Sequence, residues 1–321
     1  MKSIAVLTSG GDAPGMNPAV RAVVRTACQR GIKVYGVDRG YTGLINGDIH
    51  EMNLRSVSDI ITRGGTILYS ARCPEFKTEE GLQKAVATCK KFGIDGMVII
   101  GGDGSFRGAR DLSLRGIPCI GLPGTIDNDI SCTNYCIGFD TAANTAIECI
   151  DKLRDTMQSH ERCAVVEVMG RHAGYLALYV GVAVGATAVL VPEHPYDFHS
   201  QVAEKIRHAR LNGKTNFMIV VAEGAASAVD VGRQIQEELA LDPRVTILGH
   251  IQRGGSPTAK DRVMATRMGY EAVRILAEGK TNRVICTKDD QIIDLDIDEG
   301  LAMKKTLNSE EFKVMTVMTG M

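Results

Sequence analysis

Met97-Val98-Ile99-Ile100-Gly101-Gly102-Asp103-Gly104-Ser105-Phe106 is the stretch on which the fold turns. Its apolar run predicts a buried strand over residues 97–100, glycines close the strand, and an amphipathic stretch beyond predicts a helix over 106–115. The same succession recurs outward from it. Strands are predicted over 4–8, 33–37, 119–122, 163–168, 188–191, 217–222 and 245–248, and helices over 18–30, 79–92, 139–156, 200–211 and 261–277. Strand and helix in alternation define an α/β chain with mainly parallel sheets. Right-handed crossovers bring the carboxyl ends of the strands to one edge of a sheet, where ligands bind. Gly10-Gly11, Gly101-Gly102, Pro123-Gly124 and Met169-Gly170-Arg171 each begin where a predicted strand stops.

The totals set the frame. A chain of 321 residues exceeds one small core and suggests two domains. Apolar residues at 44% and charged residues at 23% are the balance of a folded globular protein. A formal net charge of -1 gives no pull toward nucleic acid or an anionic membrane. No apolar run approaches the roughly 18 residues of a membrane span, and the opening run is too short for a secretion signal. Nine cysteines without a C-x-x-C pair fit reduced thiols in a cytoplasmic protein better than disulfides or zinc.

The glycine motifs point to phosphate. At Gly101-Gly102-Asp103-Gly104-Ser105 a strand enters and a helix leaves, so backbone N–H groups and a positive dipole end are offered to an anion. Asp103 among them has the chemistry to hold Mg²⁺, although an aspartate cap on a tight turn reads the same way. Gly10 and Gly15 have the glycine spacing of a Walker A loop, but Met16 and Asn17 stand where Lys and Ser/Thr are required, so that motif fails. A glycine loop over a triphosphate and an ordinary turn both remain open there. In Pro123-Gly124-Thr125-Ile126-Asp127-Asn128-Asp129 an extended chain would point both carboxylates to one side. Two like charges held together call for a metal or a proton-transfer role, one accepting a hydroxyl proton and the other helping with Mg²⁺. Arg162, Met169-Gly170-Arg171-His172 and His250-Ile251-Gln252-Arg253 add phosphate donors near strand ends, with Arg244 just upstream of the last. A lipid or dinucleotide kinase would share only Gly-Gly-Asp-Gly. A silent nucleotide sensor would be expected to lack a catalytic carboxylate or a clamping arginine.

Taken in order along the chain, these motifs, with Arg63-Gly64-Gly65-Thr66, Ser70-Ala71-Arg72 and Arg154-Asp155-Thr156, resemble the bacterial ATP-dependent 6-phosphofructokinases essentially end to end. The resemblance implies two Rossmann-like three-layer α/β domains: residues 1–138 plus 252–305 for ATP, and 139–251 plus 306–321 for fructose 6-phosphate. It implies transfer of the γ-phosphoryl of ATP, with Mg²⁺, to the sugar 1-hydroxyl, the committed step of glycolysis. Gly11, Arg72, Cys73, Gly102, Asp103, Gly104 and Ser105 would line the ATP site, Asp103 serving the metal with Asp129 close by. Asp127 would be the base, and Thr125 and Arg171 would steady the moving phosphoryl group. Ile126, Met169, Gly170 and Glu223 would belong to the sugar site, and His250, Ile251, Gln252 and Arg253 to its 6-phosphate end. Arg162 and Arg244 would reach in from a neighbouring subunit of a homotetramer.

Pyrophosphate-dependent relatives usually carry aspartate at the position of Gly104 and lysine at that of Gly124, so glycine at both favours ATP. Allosteric members bind ADP or phosphoenolpyruvate between subunits. Arg21, Arg25, Asp59, Arg154, Gly185 and Lys214 match that effector site, whereas Thr187 and Asn212 replace an expected glutamate and arginine.

Overall fold

Ser3–Thr8 (β1) is buried at every residue, as a central strand covered on both faces can be. The computed structural model describes residues 1–318, and the chain divides into two compact units. The larger comprises Met1–Ile126, Ile130–Thr141 and Arg253–Lys305; the smaller comprises Asp127–Asp129, Ala142–Gln252 and the chain from Thr306 on. Residues 319–321, within the span expected of the second domain, lie outside the described residues.

After β1 the strands are Lys33–Val37 (β2), Ile49–Met52 (β3), Met97–Gly101 (β4), Cys119–Pro123 (β5), Cys163–Val168 (β6), Ala188–Leu190 (β7), Phe217–Ala222 (β8), Arg244–Ile247 (β9), Arg283–Lys288 (β10) and Gln291–Asp296 (β11). The helices are Met16–Gln29 (α1), Gly40–Asn46 (α2), Glu79–Phe92 (α3), Asp103–Ser113 (α4), Phe139–His160 (α5), Tyr175–Ala183 (α6), Glu204–Leu211 (α7), Ala228–Leu239 (α8), Ala259–Ala277 (α9), Ile297–Ala302 (α10) and Ser309–Met318 (α11).

In the larger unit the sheet order is β11-β10-β5-β4-β1-β2-β3. The inner strands are parallel, and β3 and β11 pair antiparallel at the two edges. Alternation along β1 sends Ala5 and Leu7 into a core with Leu44, Leu82, Ala85, Phe106 and Leu112 of α2, α3 and α4. Helices α1 and α9 pack together and against the sheet. In the smaller unit the order is β7-β8-β6-β9, all parallel. Val165, Ile219 and Val221 face Ile206 of α7 and Val231 and Ile235 of α8, while α6 packs on β7 and β8. The mainly parallel α/β architecture expected from the sequence is what the chain forms.

Two helix starts differ from expectation in ways that bear on function. The helix expected from residue 106 begins at Asp103, because extended Gly102 is its N-cap and the glycine run is its first turn. The helix expected over 200–211 opens with a π-helical turn, His199–Ala203, before α7. Arg162 and Arg244 lie at the amino ends of β6 and β9, opposite the carboxyl strand ends where the glycine motifs lie. Among the described residues no helix is long and apolar enough to cross a membrane, and all nine cysteines are free thiols.

Candidate active site

In the larger unit three loops meet at the carboxyl ends of β1, β4 and β5. The register sets Thr8 beside Ile100 and Gly101 beside Pro123. Ser9 N donates to Ile100 O at 2.9 Å, and Gly124 N donates to Gly101 O at 3.0 Å. Gly101 must be glycine: a Cβ there would lie 2.5 Å from Ser9 O and would also strike the Ser105 hydroxyl. Ser70 Oγ donates to Gly10 O at 2.5 Å, which brings the segment carrying exposed Arg72 and half-buried Cys73 toward the opening loop.

Asp103 is the first residue of α4 and is half-buried. A Cβ built on Gly102 or on Gly104 would meet nothing within 4 Å, so the space over the helix start is open. Exposed N–H groups and the positive end of the helix dipole make such a place suited to phosphate. Tyr41 Oη donates to Ser105 O at 2.5 Å from within the core, and the Tyr41 ring stacks on Phe76 at 3.9 Å between centroids. Burial raises the Tyr41 phenol well above its ordinary range and keeps it a donor. Arg253 Nη1 donates to Asp12 O at 3.0 Å, and a Cβ on Gly11 would lie 2.6 Å from that nitrogen. The Arg253 guanidinium therefore rests on the opening loop.

Beyond β5, Thr125 N donates to Ile137 O at 3.1 Å and Ile137 N donates to Pro123 O at 2.8 Å. Thr125 and Asp127 are buried, at 8% and 6% exposure, whereas Asp129 is exposed. The expected extended geometry does not occur. Asn128 has φ 51°, in the left-handed region that asparagine tolerates, so the backbone bends between the two carboxylates. Asp127 is therefore buried and Asp129 lies at the surface.

In the smaller unit the turn after β6 is tightly specified. Gly170 has φ 140°, and a Cβ there would lie 2.5 Å from Ala173 O. Arg171 is left-handed at φ 58°, and its N–H donates to Glu223 Oε1 at 2.7 Å. Glu223 N donates to Val168 O at 2.9 Å. Fully buried Gln252 accepts the Met169 N–H through Oε1 at 2.8 Å. Met169, Gly170, Arg171, Glu223 and Gln252 are thus brought together, and His250 and Ile251 are exposed in the 3-10 turn Gly249–Arg253. Tyr175, a residue the sequence does not flag, opens α6. Its hydroxyl is pushed up to about 12 by burial and then by the charges of Glu193 and Asp129.

Arg162 precedes β6 and Arg244 opens β9, and the register partner of Arg244 is Ala164, two residues after Arg162. At about 3.3 Å per residue, the strand puts Arg162 roughly 20 Å from Met169 of the same chain. Of the effector candidates, the smaller unit gathers Arg154, whose guanidinium donates to Val184 O, and Lys214, which donates to Thr187 Oγ1 at 3.2 Å. Burial and then the Arg154 charge pull the Lys214 ammonium below its usual range. Gly185 lies in the turn between Val184 and Thr187 with φ 58°. Asn212 caps α7 and donates to His208 O at 3.1 Å. Arg21 and Arg25 lie one turn apart on α1 in the larger unit, and exposed Asp59 has φ 57°.

Glycine loops at parallel strand ends, a helix start bearing an aspartate, and a second α/β unit with an Arg-Glu turn define a phosphate-handling α/β enzyme. The Phosphofructokinase family model matches residues 3–276. The ATP-dependent 6-phosphofructokinase of Clostridium botulinum (strain Loch Maree / Type A3) is 55% identical over 319 residues, covering 99% of this chain and 100% of that protein. Among solved structures, phosphofructokinase from Saccharomyces cerevisiae has a TM-score of 0.88 at 36% identity, covering 94% of this chain and 45% of that one. The Pichia pastoris phosphofructokinase in the T-state has a TM-score of 0.88 at 37% identity, covering 99% of this chain and 36% of that one. The chain belongs to the phosphofructokinase family.

Proposed function

We infer that this chain transfers the γ-phosphoryl group of ATP to the 1-hydroxyl of fructose 6-phosphate, giving fructose 1,6-bisphosphate and ADP. The observation that carries this reading is the joining of the β4 and β5 ends through Gly124 N and Gly101 O, which sets the Asp103 helix start beside the strand end leading to Thr125 and Asp127. The larger unit serves the nucleotide through Gly11, Arg72, Cys73, Gly102, Gly104 and Ser105. The sugar phosphate is assigned to Ile126, Met169, Gly170, Glu223, His250, Ile251, Gln252 and Arg253.

Among the described residues no three His, Cys, Asp or Glu side chains are grouped to cage a metal ion. Magnesium bound largely through phosphates and water needs only one or two carboxylates. Asp103, at an open helix start, fits that requirement, and Asp129 is proposed as the second carboxylate. Bound there, Mg²⁺ would neutralise charge on the β- and γ-phosphate oxygens. Asp127 takes the proton of the 1-hydroxyl as its oxygen attacks the γ-phosphorus. The bond to the β-phosphate oxygen breaks, and Thr125 and Arg171 hold the group in transit.

Arg162 and Arg244 act on the site of a neighbouring copy in a homotetramer. Their place at the amino edge of the sheet supports this, as do the exposed apolar residues Val245 and Ile247 along edge strand β9. Arg244 pairs with exposed Asp242 at 3.0 Å, a surface bridge of about 0–1 kcal/mol that is readily given up. Arg21, Arg25, Asp59, Arg154, Gly185 and Lys214 take ADP or phosphoenolpyruvate as effector. Thr187, buried and engaged by Lys214, offers no carboxylate there. Glycolytic transfer of this kind belongs to the cytoplasm, which the free thiols fit.

The test is a coupled assay with fructose 6-phosphate and each donor in turn. ATP with Mg²⁺ is expected to support turnover and pyrophosphate to give none; turnover with pyrophosphate alone would overturn the donor assignment. Arg253→Ala is expected to raise the KM for fructose 6-phosphate about ten- to hundredfold. Because Arg253 also holds the Asp12 carbonyl, the KM for ATP rises with it, by a smaller factor. Initial-rate kinetics with each substrate varied read both effects, and an unchanged sugar phosphate KM would remove Arg253 from the clamp.

A further inference from the structure

Asp261 is fully buried in the first turn of α9, a helix capped by Thr258. Its Oδ1 accepts from Tyr135 Oη at 2.5 Å and from Gly138 N at 2.7 Å. Its Oδ2 accepts from Thr141 N at 2.8 Å and from Thr141 Oγ1 at 2.5 Å. Thr141 Oγ1 in turn accepts from Thr258 N at 3.0 Å. Burial pushes the Asp261 carboxyl up from its ordinary range, and the four donors pull it back. A buried charge is seldom the most stabilising occupant of such a place, since an apolar side chain fills space without being desolvated. What the carboxylate alone supplies is two oxygens each holding two donors in fixed directions.

The segment so held is a platform for two functional loops. Ile137, between Tyr135 and Gly138, exchanges backbone hydrogen bonds with Pro123 and Thr125. The opening loop rests on the same residues: a Cβ on Gly15 would lie 2.5 Å from Ile137 Cγ2 and 3.6 Å from Asp261 Cβ. A Cβ on Gly138 would lie 2.6 Å from Ala13 Cβ. The carboxylate is linked to Thr125, two residues before Asp127, through Gly138 N, the adjoining Ile137 and the Thr125 N–Ile137 O hydrogen bond.

We propose that Asp261 is a positioning residue for phosphoryl transfer, clamping residues 135–141 so that the strand end at Thr125 and the loop at Ala13–Gly15 keep their places. The proposal rests on the reaction inferred for this chain. Asp261→Asn is isosteric but turns one accepting oxygen into an NH₂ that faces donors, either those of Gly138 and Tyr135 or those of Thr141. A displacement of about 1 Å at the reacting groups costs about a hundredfold in rate.

The experiment combines hydrogen exchange of the whole chain without substrate and steady-state kinetics with ATP and fructose 6-phosphate. In Asp261→Asn, exchange at Thr125, Ile137 and Gly138 is expected to quicken about tenfold or more. The kcat is expected to fall about ten- to hundredfold while both KM values stay within about threefold. Val273→Ala, in a buried position of the same helix away from the clamp, is the control for general destabilisation and should keep its kcat. Should Asp261→Asn not fold, Tyr135→Phe removes one donor of four and is expected to lower kcat about two- to fivefold, with faster exchange at Ile137. Unchanged exchange at Ile137, or an equal loss of kcat in Val273→Ala at matched melting temperature, would overturn the proposal. A wild-type chain inactive with ATP and fructose 6-phosphate would refute the reaction, and the exchange data would still decide the clamp.

Discussion

Asp127→Ser is expected to lower kcat by about three to four orders of magnitude while ATP and fructose 6-phosphate continue to bind, because loss of the proposed base and loss of alignment act together. The serine hydroxyl is too weak a base to accept the sugar proton, and it is shorter than the carboxylate by one non-hydrogen atom along the side chain. Asp127 sits at 6% exposure just past a strand end fixed by the Thr125–Ile137 hydrogen bond, so the chain has little freedom to bring another group to the same point. Most residues proposed to bind the substrates lie outside this segment and the substitution leaves the backbone of Thr125 and Ile126 in place, so KM values should move by no more than about threefold. Initial rates, calorimetric titration of each substrate and a melting curve together check the claim. A kcat within tenfold of wild type would take the role of base away from Asp127.

The sequence displays the central strands clearly because their environment is simple. β1, β4, β5, β6 and β8 are buried throughout or nearly so, and continuous apolar runs mark them. Edge strands carry a weaker signal. β3 is Ile-His-Glu-Met, and the β10–β11 hairpin turns on Asp289-Asp290, both left-handed at φ 50° and 61°, without the Asn-Gly or Asp-Gly pair that usually announces such a turn. Helix α6 is apolar all round, so it lacks the 3.6-residue stripe that reveals a helix on a surface. At the candidate site, motifs disclose residue types and chain order but not direction. Asp127 and Asp129 look equivalent until the left-handed Asn128 separates them. Arg162 already precedes the strand expected over 163–168, and the structure keeps it at that amino end. Asp261 reads only as a helix-start acid three residues after Thr258, and its burial depends on residues more than a hundred positions away.

Gly104→Asp should abolish practical use of ATP while leaving the fold intact. The second residue of α4 tolerates a side chain: the added Cβ meets nothing within 4 Å, and the position is not left-handed. Aspartate in a first helical turn is favoured by about 0.3–1 kcal/mol through the dipole, so the melting temperature should hold or rise slightly. Glycine is therefore not needed there by the protein's own packing, and the demand for it comes from what binds. A carboxylate about 4 Å from one phosphate charge costs roughly 4 kcal/mol at an effective dielectric of 20, or about a thousandfold in affinity. The companion change is less free. A Cβ on Gly124 would lie 3.1 Å from Ile100 Cγ2 and 3.2 Å from Met16 Cε, so Gly124→Lys requires core neighbours to give way before any positive charge can serve pyrophosphate. The single variant should consequently lose kcat/KM for ATP about a thousandfold without gaining a pyrophosphate reaction, because exclusion of one donor comes from repulsion alone and acceptance of the other needs a charge and the room to hold it. Retention of ATP turnover within tenfold in a folded Gly104→Asp would show that the nucleotide does not pass over the start of α4.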